Sequence, residues 1–379
     1  IVDSNKTLTG NGSITNSLVV KNNNNNGYTL TIGNNGTGNL DFNATNGSGM
    51  IDNAGTINGN ITNLATSTIK NFTNANTGKI DGNIINSGII TSFTNSGSFD
   101  GDLTNNGNIT NFINSGNFTG NITNTAGDTI SNFNNLRDIT GNITNEGIIT
   151  DFNNAGNIDG ILTNASNANI GDFTNSGSIK EFKNEGLIAF YENNGTITTF
   201  SGNGTIYGVS NNKVINGNFE NVANALKNTG TISGNVELVG QRGTCSNDIC
   251  KLSGLWNEGT IGGTFTNAVD KTINSVFNGS NSEPNINAVL NGGIANSGTI
   301  NQILNYSNGT INNGITNNAN ANIESITNQG TINGGITNSS QIGMINNTGL
   351  ITGDITNDNT SSIITTINTG SITGSIANS

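Results

Sequence analysis

The sequence predicts an all-β protein built as a right-handed parallel β-helix. Three observations carry this prediction: a repeat of 19–21 residues, short segments rich in Ile, Phe and Thr, and turns of the form Asn-x-Gly. Repeats of this length are typical of solenoids, in which each coil stacks on the next. After residue 49 the 379-residue chain has room for about 16 such coils.

Each repeat contains two half-units, I-x-G-x-I-x-N-x-G and I-x-x-F-x-N-x-G, as in residues 80–97. Their alternation of apolar and small polar residues predicts β-strands. The aromatic positions Phe93, Phe112, Phe133, Phe152 and Phe173 are 19, 21, 19 and 21 residues apart. We therefore expect Phe152 to point into the core, with Phe133 and Phe173 stacked on either side of it.

An antiparallel meander is the alternative arrangement of these strands. A meander gives no reason for identical residues to recur one full period apart, whereas stacked coils place them in columns about 4.8 Å apart. The asparagine that ends each strand, such as Asn95 or Asn114, is then predicted to hydrogen-bond its equivalent in the next coil. The glycine that follows suits a turn, because it tolerates positive φ.

The repeat also predicts how the chain is organised. Residues 1–49 fit it poorly and predict an N-terminal cap with irregular first coils, while residues 50–379 form the rod. A segment at about 240–256 matches neither half-unit and predicts a loop excursion, and a smaller excursion near 278–284 holds the only proline. No signal peptide precedes Ile1 and no capping sequence precedes Ser379, so we expect a mature form or a piece of a longer protein.

Composition excludes several classes of function. The net charge is −12 with only 12 Lys and Arg residues, which disfavours nucleic acid and anionic membrane surfaces as partners. The chain has no histidine, so His-dependent catalysis and His-ligated metal sites are impossible within it. We expect neither a metal nor a cofactor, and no apolar run is long enough to span a membrane.

Both cysteines, Cys245 and Cys250, lie in the predicted excursion. A Cys-x4-Cys pair alone does not make a zinc site, which usually needs four ligands. In a secreted chain the pair is predicted to form a small disulfide-closed loop. Two free thiols are the alternative.

Carboxylates recur at equivalent positions of the repeat. Aligned coils place Asp81, Asp100 and Asp159 in one outward column and Asp151 and Asp172 in another. Paired carboxylates can act as acid and base in polysaccharide cleavage. We expect solvated surface charges instead, because no Lys or Arg is predicted to converge on them.

Two further polar patterns carry weaker functional predictions. The residues Thr104, Thr123, Thr144 and Thr163 share a column but lack the paired T-x-T array of a flat ice-binding face. Extended bacterial glycosylation sequons occur at Asn5, Asn43 and Asn194, about as often as chance predicts in so asparagine-rich a chain. The sequence does not decide whether these asparagines are glycosylated.

Two aromatic residues occupy positions that should face solvent. Trp256, the only tryptophan, and Tyr207 stand where the repeat usually has Thr. Outward aromatic residues suit contact with a protein partner or stacking on a sugar. Together with Arg242 and Lys251 of the excursion, they are the candidate partner contacts; the alternative is that the excursion folds back and covers Trp256.

Stacked I-x-G-x-I-x-N-x-G coils in a His-free, Asn-rich, weakly charged chain resemble the passenger domains of bacterial autotransporters of type V secretion. The AIDA-like and vacuolating-cytotoxin-like passengers are the most similar, over about residues 50–379. This resemblance implies a secreted or surface-displayed chain that reaches the outer membrane through a C-terminal barrel, which is absent from this sequence. It offers no catalytic motif to transfer.

We therefore expect a non-enzymatic, surface-displayed passenger that mediates adhesion or self-association. Its partner would be a host-cell surface protein or glycan, or a like chain on a neighbouring cell. A subunit of a secreted pore-forming or vacuolating toxin is the alternative, and a carbohydrate-active β-helix is a weaker one.

Overall fold

The structure, a computed structural model, describes residues 1–8, 12–14, 17–21, 28–32, 36–44, 49–240, 253–283, 285–358 and 360–378. None of these residues lies in an α-helix, and the strands are parallel and stack as a β-solenoid of about 16 turns. The predicted parallel β-helix is therefore confirmed. The chain divides into two compact units, Ile1–Leu187 and Ile188–Ser379, which are described separately.

The first unit consists of short strands that recur three to a coil. They are β1 (Lys6–Leu8), β2 (Gly12–Ile14), β3 (Ser17–Val20), β4 (Thr29–Ile32), β5 (Asn39–Phe42), β6 (Gly49–Asn53), β7 (Thr56–Asn58), β8 (Asn60–Asn63), β9 (Thr68–Asn74), β10 (Lys79–Asp81), β11 (Ile84–Asn86), β12 (Ile89–Asn95), β13 (Ser98–Asp100), β14 (Leu103–Asn105), β15 (Asn108–Asn114), β16 (Asn117–Thr119), β17 (Ile122–Asn124), β18 (Thr129–Asn135), β19 (Asp138–Ile139), β20 (Ile143–Asn145), β21 (Ile148–Asn154), β22 (Asn157–Asn164), β23 (Asn169–Asn175) and β24 (Ser178–Asn184).

Every coil returns to the same three positions, so these strands form three parallel ladders. The first ladder runs through β1, β4, β7, β10, β13, β16 and β19, and the second through β2, β5, β8, β11, β14, β17 and β20. The third consists of the longer strands β3, β6, β9, β12, β15, β18, β21 and β23. The strands of residues 1–49 thus pair in the same ladders as those that follow.

The two kinds of half-unit can replace one another within a ladder. Strands β22 and β24 each span the first and second ladders, with Ile158 opposite Ile179 and Leu162 opposite Phe182. The two apolar residues are four positions apart in β22 and three positions apart in β24. The register therefore shifts between Ile158 and Ile161. A run of short half-units therefore continues the same solenoid with one residue fewer.

The second unit has the same design with more variable coil lengths. Its strands are β25 (Leu187–Asn193), β26 (Thr196–Ser201), β27 (Thr205–Asn211), β28 (Val214–Gly217), β29 (Phe219–Asn228), β30 (Thr231–Ile232), β31 (Val236–Leu238), β32 (Gly254–Asn257), β33 (Thr260–Ile261), β34 (Phe265–Asn267), β35 (Thr272–Asn278), β36 (Ala288–Leu290), β37 (Ile294–Asn296), β38 (Thr299–Asn305), β39 (Gly309–Ile311), β40 (Ile315–Asn317), β41 (Asn322–Asn328), β42 (Thr331–Asn333), β43 (Ile336–Asn338), β44 (Gln341–Asn347), β45 (Leu350–Thr352), β46 (Ile355–Asn357), β47 (Ser362–Asn368), β48 (Ser371–Ile372) and β49 (Ile376–Asn378).

The ladder that contains the site described below is the third one of this unit. It runs in order through β27, β29, β32, β35, β38, β41, β44 and β47. Strand β32 belongs to this ladder, so the chain has rejoined the solenoid by Gly254.

Columns of apolar side chains fill the core. Phe152 is fully buried, and its ring centroid lies 4.6 Å from that of Phe133 and 5.3 Å from that of Phe173. The predicted inward stack is confirmed, and it follows from the in-register pairing of β18, β21 and β23. Burying a Phe side chain contributes about 1.5–3 kcal/mol, so each aromatic column stabilises every coil it crosses.

Buried asparagines form two hydrogen-bonded ladders, one at the end of the second strand ladder and one at the end of the third. In the first unit Asn95 Nδ2 donates to Asn114 Oδ1 over 2.9 Å, and Asn114 Nδ2 donates to Asn135 Oδ1 over 2.9 Å. Each Nδ2 also donates to a backbone carbonyl, as Asn95 does to Asn117. The predicted amide ladder is confirmed, and it explains how so many asparagines are buried at low cost.

Glycine is required where the longer half-unit turns. Gly101 has φ of +151°, and a Cβ atom there would lie 2.3 Å from the carbonyl oxygen of Gly82 in the coil below. The same turn of the preceding coil lies directly against this position, so only a residue without a side chain fits.

Candidate functional site

Trp256 lies in β32 and points out of the solenoid. Its neighbours Leu255 and Asn257 are buried, while Trp256 itself is partly exposed. The alternation of the strand therefore places the indole on the outer surface of the third ladder.

Trp256 is part of a row of large side chains. Phe277 lies directly opposite it in β35, with the ring centroids 5.3 Å apart and the planes 28° from parallel. Leu304 of β38 is opposite Phe277, and the Tyr306 ring lies 6.2 Å from Phe277. We call these four residues the aromatic row.

The aromatic row differs from the rest of its column. Lys227 precedes Trp256 in the column and Thr327 follows Leu304. At the same position in the first unit the ladder has Thr73, Thr94 and Thr174, among other residues. Isoleucine also occurs in this column, at Ile113 and Ile367, so the row is distinguished by its stacked aromatic rings and not by apolar character alone.

Sequence reasoning found Trp256 but missed Phe277 and Tyr306. The signal was present for Phe277, since it occupies the middle of an apolar-x-Asn unit, Val276-Phe277-Asn278. It was obscured because the coils between Asn228, Asn257, Asn278 and Asn305 differ in length, at 29, 21 and 27 residues.

The smaller excursion borders the row. Asn308, two residues after Tyr306, holds it in place: Oδ1 accepts from the backbone N–H of Ser280 over 3.0 Å, and Nδ2 donates to the carbonyl oxygens of Ser280 and Glu283 over 3.1 and 2.8 Å. The described residues of this excursion are thus fixed beside the row by one side chain.

A cavity of about 430 Å³ lies at the other end of the same strands. It is lined by Val239, Gly240, Ser253, Asp270, Lys271, Thr272 and Asn274. Ser253 and Asp270 have φ of 46° and 57°, which L-residues adopt at a cost and which is common near binding sites. Lys271 is the last basic residue of the sequence, and no Lys or Arg follows it.

The structure describes two of the four predicted contact residues, Trp256 and Tyr207. Arg242, Lys251, Cys245 and Cys250 lie outside the described residues, so the predicted disulfide and its alternative are not addressed. Tyr207 is partly exposed, but it lies in β27, two strands away from β32 in the ladder. It stands two positions before the buried Val209, whereas Trp256 stands one position after the equivalent buried residue, Leu255. Tyr207 is therefore separate from the aromatic row.

The carboxylate columns exist as aligned. Asp81 lies opposite Asp100 in the first ladder, and Asp151 lies opposite Asp172 in the third. Partial burial, and secondarily the Asp151 carboxylate, raise the pKa of Asp172. The expectation that no Lys or Arg approaches these carboxylates was wrong for Asp81. Lys79 Nζ lies 3.2 Å from Asp81 Oδ2, because residues two apart on a strand share a face.

The threonine column and the sequons also have defined places. Thr104, Thr123, Thr144 and Thr163 lie opposite one another in successive strands of the second ladder. At Asn194 the Nδ2 donates to Glu192 Oε1 over 2.9 Å and the Oδ1 accepts from Asn212 over 2.7 Å. Asn5 Oδ1 accepts from the backbone of Thr29, and Asn43 is exposed.

The chain matches no protein-family model, no curated protein and no solved structure. The described residues contain no helix with the length and hydropathy of a membrane span. In the same part of the chain, no three His, Cys, Asp or Glu side chains are grouped as a metal site would require.

Proposed function

We propose that this chain is a bacterial surface passenger that acts by binding, in adhesion or self-association, and not by catalysis. The aromatic row supports this proposal. Trp and Tyr are the side chains that most often dominate binding energy, and here a stacked Trp–Phe pair lies on the outer surface with a Tyr ring beside it.

The fold is compatible with this role. In a solenoid the core columns hold the coil together, so outward positions can change without loss of packing. Trp256 and Phe277 occupy a position that is Thr at Thr327 in the same ladder and at Thr94 in the third ladder of the first unit. Two stacked outward aromatic rings beside a third ring form a cluster of the kind that dominates binding energy, which favours a role in contact with a partner.

The experiment is an adhesion assay with beads that carry the chain, added to host cells and to one another. The double variant Trp256→Thr/Phe277→Thr introduces the residue that the repeat itself uses. Ile113→Thr is the matched control, because Ile113 is outward at the same column position in the first unit. We expect the double variant to reduce adhesion about tenfold or more, with the control unchanged.

Two results would contradict the proposal. Equal adhesion of the double variant and the wild type would remove the row from the contact. Release of reducing ends from a glycan, lost on Asp100→Asn or Asp172→Asn, would make the chain an enzyme.

Surface display is tested separately. Antibodies raised against this chain should label intact bacterial cells or detect the released protein in the culture medium. Labelling only after permeabilisation of the cells would place the protein inside and argue against a passenger.

A further inference from the structure

A long stretch of the second unit carries almost no charge. Between Glu283 and Asp354 the sequence contains a single charged residue, Glu324, although the chain has 24 Asp and Glu and 12 Lys and Arg residues. Glu324 lies in β41, a strand of the third ladder. The strands of the other two ladders therefore carry no charge over four successive coils, in β36, β37, β39, β40, β42, β43, β45 and β46.

Small side chains form two columns on the outer surface of these coils. The column in the second ladder contains Ala295, Thr316, Thr337 and Thr356. The column at the end of the first-ladder strands contains Asn291, Asn312, Asn333 and Thr352. All eight residues are exposed or partly exposed. We call these eight residues the neutral face.

Hydrogen bonds hold the asparagine column in a fixed arrangement. Asn312 Nδ2 donates to Asn291 Oδ1, and Asn333 Nδ2 donates to Asn312 Oδ1, each over 2.9 Å. Thr352 Oγ1 donates to Asn333 Oδ1 over 2.8 Å. An amide has two N–H donors and two acceptor lone pairs, so these bonds use half of the capacity of Asn312. Side chains that are already ordered lose less conformational entropy when a partner binds.

The lack of charge distinguishes this face from the same ladders of the first unit. There Asp81 lies opposite Asp100 in the first ladder, and Asp102 follows in the turn. Two copies of a chain with a net charge of −12 repel each other, and carboxylates that face one another across a contact add to this repulsion. Contact through the neutral face avoids that cost.

The repeat itself favours a second copy of the chain as the partner. Successive coils place equivalent side chains about 4.8 Å apart, and a second copy presents the same groups at the same spacing. A two-fold axis between β40 and β43, the middle coils of the face, would bring Thr316 of one copy to Thr337 of the other. Such a contact lets every coil of the face meet an equivalent coil.

The size of the face predicts a weak contact. Four coils span about 20 Å along the stacking direction, and two strands with the turn between them span about 20 Å across it. Two copies would therefore bury about 800 Å² in total, less than the roughly 1,200–2,000 Å² of stable complexes. One pair of chains has a low affinity, so many copies on one surface must act together.

We infer that the neutral face binds the same face of a second copy, so that chains displayed at high density associate through it. This inference goes beyond the proposed function, because it assigns contact between like chains to a second surface. The aromatic row lies on the third ladder of the second unit, whereas the neutral face lies on the other two.

Aggregation of beads that carry the chain at high density tests this inference. Thr316→Asp/Thr337→Asp places carboxylates at the centre of the face, and Thr123→Asp/Thr144→Asp is the matched control. All four residues are the middle of Ile-Thr-Asn strands, so the two variants share their net charge and their local change. We expect wild-type and control beads to aggregate, and the variant of the neutral face to form about tenfold fewer aggregates. Salt at about 1 M should restore its aggregation, because salt screens the repulsion.

A variant of opposite charge tests whether the face contacts itself. Beads with Thr316→Lys/Thr337→Lys, mixed with beads of Thr316→Asp/Thr337→Asp, should aggregate at least as well as the wild type, because unlike charges then meet. Circular dichroism of each variant should match that of the wild type, because these side chains point out of the solenoid.

The possible outcomes separate this inference from the proposed function. Dispersed wild-type beads, equal aggregation of the wild type and Thr316→Asp/Thr337→Asp, or dispersed mixtures of the Asp and Lys variants would each overturn the inference. If Trp256→Thr/Phe277→Thr alone prevents bead aggregation, self-association belongs to the aromatic row and only the proposed function stands. If Thr316→Asp/Thr337→Asp prevents it while the row variant adheres to host cells as the wild type does, the neutral face stands and the role of the row is wrong.

Discussion

Replacement of Asn135 tests whether the buried amide ladder determines stability. Asn135 Oδ1 accepts from Asn114 Nδ2 over 2.9 Å, and its Nδ2 donates to Asn154 Oδ1 and to the Arg137 carbonyl, each over 2.8 Å. Asn135→Ala would leave Asn154 Oδ1 without its donor and one N–H of Asn114 without its acceptor. The side chain is fully buried, so water cannot replace these partners easily.

The magnitude follows from those two groups. A buried polar group without a partner costs about 1–3 kcal/mol, so the predicted loss in the free energy of unfolding is about 2–6 kcal/mol. The Arg137 carbonyl adds little, because it still accepts from the backbone N–H of Asn157 over 3.0 Å.

Asn134→Ala is the matched control. Asn134 is the adjacent residue but faces outward, and its Oδ1 accepts an exposed hydrogen bond from Asn153 Nδ2 over 3.2 Å. Its replacement should change stability by no more than about 0.5 kcal/mol. Urea unfolding followed by circular dichroism gives both values. Equal losses for the two variants, or a loss below about 1 kcal/mol for Asn135→Ala, would refute the ladder argument.

Asn135→Asp adds a test by pH. The ionised carboxylate can accept from Asn114 but cannot donate to Asn154, whereas the protonated acid can do both. Burial raises the pKa of such a carboxyl group above its unfolded value. The stability of this variant should therefore be highest below the unfolded pKa and fall as pH rises through the folded one. Asn134→Asp, on the surface, should lack this dependence.

Three further predictions concern the core, a surface carboxylate and a turn. Phe152→Asp should lower the free energy of unfolding by at least about 3 kcal/mol in urea melts, and a cost as small as that of Thr123→Asp would contradict its inward position. The raised pKa of Asp172 means that its ionised form opposes folding, with stability present below the unfolded pKa and lost as pH rises through the folded one. Asp172→Asn should therefore raise the thermal midpoint at pH 7 but not at pH 3, and a gain at both would assign the effect to another cause. Gly101→Ala should cost more than about 1 kcal/mol and more than Gly127→Ala, since Gly127 also has positive φ but no atom within 4 Å of an added Cβ; equal melting temperatures would refute the clash.

The periodic part of the fold was predictable because each position of the repeat reports one kind of contact. Buried columns such as Phe133, Phe152 and Phe173, and the asparagine that ends each strand, recur at the period of the coil. In-register stacking turns such recurrence into contact. The fold class and the amide ladder therefore follow from sequence alone.

The candidate site was less predictable because it depends on contacts that the period does not describe. The aromatic row needs the register of β32, β35 and β38, and coils of unequal length hide that register in the sequence. The Lys79–Asp81 ion pair lies along one strand and not across the coils. The division between Leu187 and Ile188 falls inside β25, so no loop or linker in the sequence marks it.

The amide ladders also give each unit a net dipole along the direction in which its coils stack. In the first unit every described bond between ladder asparagines runs from the Nδ2 of one coil to the Oδ1 of the next, as from Asn63 to Asn86 and from Asn164 to Asn184. Among the described residues, Asn63 Oδ1 has no donor and Asn184 Nδ2 no acceptor. Parallel sheets alone have small net dipoles, whereas amide dipoles aligned head to tail add, as peptide dipoles of about 3.5 D do in a helix. Each ladder thus directs positive potential toward its higher-numbered coils and negative potential toward its lower-numbered ones, so a buried charge introduced beside it would be tolerated differently at the two ends.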